Sequence, residues 1–306
     1  MSIEYGILVK TKTRLESLIE RFNTAAQAKF YLERMGGDFE AYEEEDAIYK
    51  ESLLKVQRIF SRILKNKIIE RAFLPSYIFT KKNLILVLGP DGLLANTAKY
   101  AQGVPIIGIN PDPERNDGVL LPFQADNFGE AVVKTIKGQA RIENRSFAEA
   151  KLNDGQRLLA FNDLFIGAAS HVSARYRINF EERSENHSSS GLIVSTRTGS
   201  TGWLSSIFNM AYGIVKTFDQ EISQSQPQMA ENELLFAVRE PFKSLRSQTD
   251  ICMGFINAQK SLQLESHMPS GGLIFSDGIE EDFLHFNSGS IASIGLAKEK
   301  ARLVQA

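Results

Sequence analysis

The sequence predicts a two-part fold, α/β followed by all-β: an N-terminal open α/β domain, then a C-terminal β-sandwich-like domain. Three observations carry this expectation. Up to about residue 140, short apolar runs alternate with segments of helical periodicity, the order that builds a parallel sheet flanked by helices. Asn83-Leu-Ile-Leu-Val-Leu88 is apolar without a break, as a strand covered on both faces must be. Further on, the chain changes to period-two alternation and hairpin turns. Arg175–Glu181 is typical, with Tyr176, Ile178 and Phe180 opposite Arg177 and Asn179. A chain of 306 residues has room for two ordinary domains. We expect them over 1–139 and 140–289. For the segment 290–306 the sequence leaves open whether it returns to the first domain.

The elements follow in order. Tyr5–Lys10 reads as the first strand. Thr13-Arg-Leu-Glu16 then has the form of a capping box, the Thr hydroxyl accepting from the third amide while the Glu reaches back. Leu15, Leu18, Ile19 and Phe22 share the next helix face. A second helix carries Val56, Phe60, Ile63 and Leu64, and the acidic run Glu43–Asp46 ahead of it reads as a solvated helix start. Gly89-Pro-Asp-Gly92 turns the apolar strand into a helix over Leu93–Ala101, and Val104–Ile109 is the next strand. Asn127 opens another helix with Phe128, Val132, Val133 and Ile136 on one side. In the second half, Asn153-Asp-Gly155 marks a hairpin and Ser184–Ser190 reads as a polar loop. Strands are expected at Glu233–Arg239, Ile251–Asn257 and Leu273–Phe286, the last folded about Asp277-Gly278. Lys216–Glu231, rich in Gln and Ser, reads as a surface loop.

Composition removes several classes of function. With 43% hydrophobic and 24% charged residues, the chain is neither collagen-like nor wholly disordered. Thirty-five Lys and Arg against 37 Asp and Glu leave a formal charge of −2, so there is no bulk attraction for nucleic acid or an anionic membrane. Cys252 stands alone, which excludes an intrachain disulfide and a multi-cysteine metal cluster. His171, His187, His267 and His285 show no metal-ligand spacing. No apolar run approaches the ~18 residues of a membrane helix, and Glu4 sits where a secretory leader would be basic. The expectation is a cytoplasmic protein without a nucleic-acid or membrane partner and without a metal site of its own.

Two segments could carry chemistry. A buried strand ending at Gly89-Pro90-Asp91-Gly92 and opening a helix puts backbone amides and the positive helix end at one spot, which suits phosphate. Asp91 there is suited to a hydroxyl, as base or anchor; a plain Gly-Pro-Asp turn explains the same residues. The second segment is Gly191-Leu-Ile-Val-Ser-Thr-Arg-Thr-Gly-Ser-Thr-Gly-Trp203. Hydroxyls interleaved with glycine after a strand can hold phosphate, ribose or a base edge, whereas a simple capped turn needs only one hydroxyl. Asn162-Asp163 on its own reads as an ordinary turn.

Together these segments resemble a family. Gly89-Pro-Asp-Gly-Leu-Leu is similar to the Gly-Gly-Asp-Gly-Thr-Leu box of NAD kinases, shared in related form by diacylglycerol and sphingosine kinases. Asn162-Asp163 stands where NAD kinases have Asn-Glu, and Ser195–Trp203 resembles their Ser-Thr-Pro-Thr-Gly-Ser-Thr-Ala-Tyr. Ile107–Arg115, Ser189–Gly191 and Leu235–Pro241 look like the divergent branch that includes the animal mitochondrial NAD kinase. The resemblance implies an α/β nucleotide domain and a β-sandwich-like domain with NAD bound between them. It implies ATP with Mg2+ as phosphate donor, the 2′-hydroxyl of the adenosine ribose as acceptor, NADP as product and a homodimer or higher homo-oligomer. Asp91 would be the catalytic carboxylate. Gly89 and Gly92 would allow close approach of phosphate, and Asn162 and Asp163 would bind ribose hydroxyls. Ser190, Thr198, Gly199, Ser200, Thr201 and Trp203 would line the nucleotide site. Among the departures from the pattern, Pro90 has no N–H, Leu93 replaces a hydroxyl-bearing Thr, and Arg197 replaces Pro. Ser190 stands where many NAD kinases carry an Asp, and Asp163 is one methylene shorter than the Glu. An alternative is a weak or inactive nucleotide-binding sensor of the same fold; a lipid kinase is a third.

Overall fold

The computed structural model describes residues 2–218 and 227–306. The chain divides into two compact units, Met1–Asn144 with Ala301–Ala306, and Arg145–Lys300.

The first unit runs β1 (Tyr5–Lys10), α1 (Arg14–Phe22), α2 (Ala25–Arg34), α3 (Phe39–Ile63), β2 (Asn66–Glu70), a 3-10 turn (Arg71–Ser76), β3 (Asn83–Leu88), α4 (Asp91–Tyr100), β4 (Pro105–Asn110), β5 (Phe123–Gln124) and α5 (Phe128–Ile136). The expected capping box is present: the Thr13 hydroxyl accepts from Glu16 N–H and the Glu16 carboxylate from Thr13 N–H. Strands β4, β3, β1 and β2 lie side by side, all parallel. The C-terminal residues Arg302 and Leu303 add parallel pairing to β4. Every residue of β3 is buried. Phe60 and Val56 of α3 and Phe128 and Val132 of α5 pack against Leu8, Leu86, Ile107 and Ile109 on one sheet face. Helix α4 covers the other face, where Leu94 lies over Gly108.

Two sequence expectations change here. Helix α3 begins at Phe39, so Glu43–Asp46 lies inside it and is not its solvated start. Buried Asp46 accepts from the Thr13 hydroxyl at 2.6 Å and pairs with Lys50 at 2.7 Å, joining α3 to the cap of α1. Helix α2 and strand β2 were not read from the sequence at all. Both are short; α2 buries only Ala28, and β2 only Ile69, so neither displays a clear period.

The second unit is a sandwich. Its strands are β6 (Ile142–Leu152), β7 (Arg157–Ala160), β8 (Asp163–Ala168), β9 (Ala174–Phe180), β10 (Arg183–Ser189), β11 (Leu192–Thr196), β12 (Leu234–Val238), β13 (Met253–Ile256), β14 (Leu262–Ser266), β15 (Gly272–Ser276), β16 (Ile279–His285) and β17 (Ile291–Val304), with α6 (Trp203–Thr217) after β11. One sheet has the order β13-β12-β11-β8-β15-β16; the other includes β10-β9-β14-β17. Inward residues of both sheets, among them Ile166, Val194, Phe236, Tyr176, Ile178 and Leu264, share one core. Ser184–Ser190, expected as a loop, is edge strand β10 paired antiparallel to β9. Its polar composition suits a sheet edge, and it buries His187 and Ser189 where apolar residues would have announced a strand. Of the expected loop Lys216–Glu231, residues 219–226 lie outside the described residues, Lys216 and Thr217 close α6, and 227–231 form neither helix nor strand.

Phe60 is fully buried against Gly6 in β1, where an added Cβ would stand 2.1 Å from the Phe60 ring. Gly6→Ala is expected to lower unfolding stability by about 1–3 kcal/mol through overpacking. Denaturant melts of Gly6→Ala alone and with Phe60→Leu check this, since the second change should restore part of the loss.

Candidate functional site

In the first unit the strand order turns back on itself between β1 and β3. The chain leaves β1 for the helices on one face and β3 for α4 on the other. In open parallel sheets such a switch point opens a crevice at the strands' carboxyl ends. Tyr49 of α3 braces this place from beneath. Its hydroxyl donates to the Leu88 carbonyl at 3.0 Å and accepts from Thr11 N–H at 3.2 Å, one contact on each strand end. Burial pushes the Tyr49 phenol up to about 12, so it stays a neutral donor.

Gly89 follows at φ +156°, a conformation other residues rarely adopt. A Cβ there would also come within 2.8 Å of Leu93, which is 2% exposed and folds back over the glycine. Leu93 is thus a packing residue at this position, and the side chain there does not face solvent. Exposed Pro90 is the N-cap of α4 and supplies no side-chain cap. The first amides of α4, those of Asp91 and Gly92, have no acceptor within the helix because of their position. The Asp91 carboxylate already has partners: it accepts from Leu120 N–H at 2.9 Å and Val119 N–H at 3.2 Å, holding the loop after β4. That loop is also tied to α3, since Ser52 donates to the Pro111 carbonyl at 2.9 Å and Arg115 pairs with Glu44.

In the second unit the structure brings Asn162, Asp163 and Ser195–Gly199 together. Asp163 opens β8 and lies directly opposite Ser195 of β11. The Thr196 hydroxyl donates to the Phe161 carbonyl at 2.7 Å and accepts from Gly199 N–H at 3.2 Å, while Thr196 N–H donates to the Asn162 carbonyl at 2.9 Å. Gly199 sits on that same backbone, and a Cβ would fall 2.4 Å from the Asn162 carbonyl oxygen. Thr196 and Gly199 therefore dock the hydroxyl-rich loop on the dipeptide. Thr198 is half-buried, and Thr201 is exposed where the loop enters α6. The Ser200 hydroxyl turns inward to the Arg197 carbonyl at 2.8 Å. Arg197 pairs with Glu231 at 3.0 Å.

Trp203 stacks on Phe165 at 5.6 Å and 9°, beside Phe275, with the Arg239 guanidinium 5.3 Å from its ring centroid. It is half-buried and belongs in part to the core beneath α6. Ser190 is exposed, its amide donating to the Arg239 carbonyl at 3.0 Å. Sequence reasoning missed Tyr49 and Asp277 as parts of these places. Asp277 was legible only as a hairpin turn, and nothing in the sequence distinguishes Tyr49 from other helix tyrosines.

Asp163 has the most perturbed carboxyl of the set. Burial pushes it up to about 7, a nearby Ser195 hydroxyl opposes this, and Asp277 adds to it. Ser195 donates instead to the Thr196 carbonyl at 3.1 Å, and Asp163 Oδ1 is left buried without a hydrogen-bond partner. Among the described residues, no group of three or more His, Cys, Asp or Glu is placed to hold a metal ion. None of the described helices is long and apolar enough to cross a membrane.

Known proteins resemble this chain in part of its sequence and in its fold. A segment of 130 residues is 35% identical to an NAD kinase of Heliobacterium modesticaldum, covering 40% of this chain and 44% of that protein. An NAD kinase of Chlorobaculum tepidum is 31% identical over 121 residues, 39% of this chain and 42% of its own. Over these stretches the chain is similar to NAD kinases. The matched stretch spans less than half of these curated NAD kinases. The fold reaches further: yeast NADH kinase complexed with NADH superposes at a TM-score of 0.61 with 13% identity, over 100% of this chain and 84% of that one. An NAD kinase from Archaeoglobus fulgidus in complex with ATP gives 0.55 and 13%, over 98% and 93%. No family model matches the chain.

Two outcomes follow from the site's geometry. A carboxyl raised by folding binds its proton more tightly in the native state, so its contribution to stability is lost as pH rises from about 4 through 7. Asp163→Asn is expected to flatten this fall and to raise the urea midpoint above pH 7, read from melts at several pH values. Leu93→Thr is expected to cost about 2–4 kcal/mol, without adding a hydroxyl to the surface of the glycine turn. Chemical denaturation measures the cost.

Proposed function

We propose that the chain transfers the γ-phosphate of ATP to the 2′-hydroxyl of the adenosine ribose of NAD, giving NADP and ADP. The observation that carries this reading is the docking of the Thr-Gly-Ser-Thr loop on Asn162-Asp163, which leaves one carboxyl oxygen of Asp163 buried and unpartnered. A ribose hydroxyl pair both donates and accepts, and an Asn beside a carboxyl supplies both. Similarity to NAD kinases over part of the chain and the fold shared with kinases complexed with NADH and with ATP support it. Asp91 is assigned to orient and deprotonate the acceptor hydroxyl with lone pairs left after its two amide bonds. Gly89 and Gly92 shape the turn at the start of α4, whose first amides suit phosphate. Ser190, Thr198, Gly199, Ser200, Thr201 and Trp203 are assigned to the nucleotide. Mg2+ would come with ATP, held by phosphates and water, since the described residues offer no cage. A cytoplasmic homodimer or larger homo-oligomer is part of the proposal.

The second reading is a nucleotide sensor with little or no turnover. It is favoured by Pro90, which lacks a phosphate-donating amide, and by the engagement of Asp91 with Val119 and Leu120. A coupled assay of NADP formation beside thermal shifts with NAD, NADP and ATP separates the readings. Turnover supports the kinase, and binding without turnover supports the sensor. A response to neither nucleotide removes both and leaves a lipid acceptor to be assayed. In an active chain, Asp91→Asn is expected to lower kcat/KM by roughly 10²–10⁴-fold while the thermal shift with NAD persists. Retention of more than half the parental kcat/KM excludes Asp91 from the chemistry.

A further inference from the structure

Asp277 lies in the tight turn between β15 and β16, at φ +54°, a left-handed conformation that Asp and Asn tolerate better than other L-residues. Its side chain reaches back across more than a hundred positions. Oδ2 accepts from Phe161 N–H at 3.0 Å, and Oδ1 from Asn162 N–H at 2.6 Å and Asp163 N–H at 3.3 Å. Its own N–H donates to the Asp163 carbonyl at 2.9 Å. Strand β15 runs antiparallel beside β8 with Ser276 opposite Leu164, so the turn begins where the ladder of β8 ends. Successive amides that the ladder does not take converge on one carboxylate, as a backbone nest does on an anion.

We propose that Asp277 is a positioning residue for Asn162 and Asp163, setting through their backbone the directions in which the two side chains meet a ribose. The inference rests on the nucleotide reading for its ligand and on the hydrogen bonds above for its mechanism. The groups that face Asp163 from neighbouring elements are Ser195 of β11 and Asp277 of the β15–β16 turn; Asp277 is the charged one, and its charge favours the protonated form of Asp163. Clamping and charge therefore act together, giving Asp163 a fixed direction and a proton to donate near neutral pH.

Asp277→Asn tests both. Asparagine suits the left-handed turn and nearly matches the volume, but it brings one acceptor oxygen in place of two and no charge. The expected result is a roughly tenfold or larger rise in KM for NAD with kcat changed less than threefold. The 13C titration of the Asp163 carboxyl should move to lower pH, and the pH dependence of NAD binding should move with it. A residue that merely supports the fold would lower stability and leave the titration and the KM-to-kcat split where they were; that result overturns the proposal. Where Asp277→Asn does not fold, amide exchange in the parent chain decides: slow exchange at 161–163 is expected, and fast exchange there overturns the clamp. If the parent chain binds neither NAD nor ATP, the nucleotide reading fails, while the Asp163 titration and the amide exchange still decide the clamp.

Discussion

A strand that stops pairing leaves N–H and C=O groups that water must reach or a side chain must meet, because a buried backbone group without a partner is costly. This constraint organises both units. Tyr49 meets the ends of β1 and β3, and Asp91 meets the amides of the loop after β4. Thr196 meets the Phe161 carbonyl and the Gly199 amide, and Asp277 meets the amides ahead of β8. The places where a ligand is proposed are thus the places where chain polarity is handled by side chains instead of a ladder. A nucleotide there would exchange hydrogen bonds with a framework already held in shape, which limits the ordering cost of binding.

The same constraint explains which residues carried a readable signal. Asn83–Leu88 was legible because burial on both faces forbids polar residues, and Tyr176, Ile178 and Phe180 because burial on one face imposes alternation. Asn162-Asp163 and the Thr-Gly-Ser-Thr loop were legible only as a set, since each alone is ordinary turn chemistry. Strand β10 was not, as its inward positions hold His187 and Ser189, polar residues that pair through the His187 Nε2 with Glu185 and through the Ser189 hydroxyl with Tyr176. Asp46 was misplaced for a similar reason: a carboxylate in an acidic run reads as solvated, yet its partner Thr13 is 33 positions away. Asp277 and Tyr49 act through contacts separated by more than a hundred and by 39 positions, and no local pattern reports such distances.

Leu93 shows how a motif departure changes meaning once packing is known. As a string, it is a lost hydroxyl beside the glycine box. In the fold it is a buried apolar side chain closing over Gly89, whose missing Cβ makes room for it. The two positions are coupled, so neither can be judged as a substitution on its own. Pro90, exposed at the helix cap, has no such compensation and stands as the departure that bears on phosphate directly.

The chain has one tryptophan, and it is Trp203, stacked on Phe165 and lying under the Arg239 guanidinium at the head of α6. Indole emission from the native protein therefore comes from a single known environment, with a cation close to the ring and the Thr-Gly-Ser-Thr loop immediately before it in sequence. A change of colour or intensity in that emission reports on this one spot without any label, and its quenching by a soluble ion measures how open the spot is.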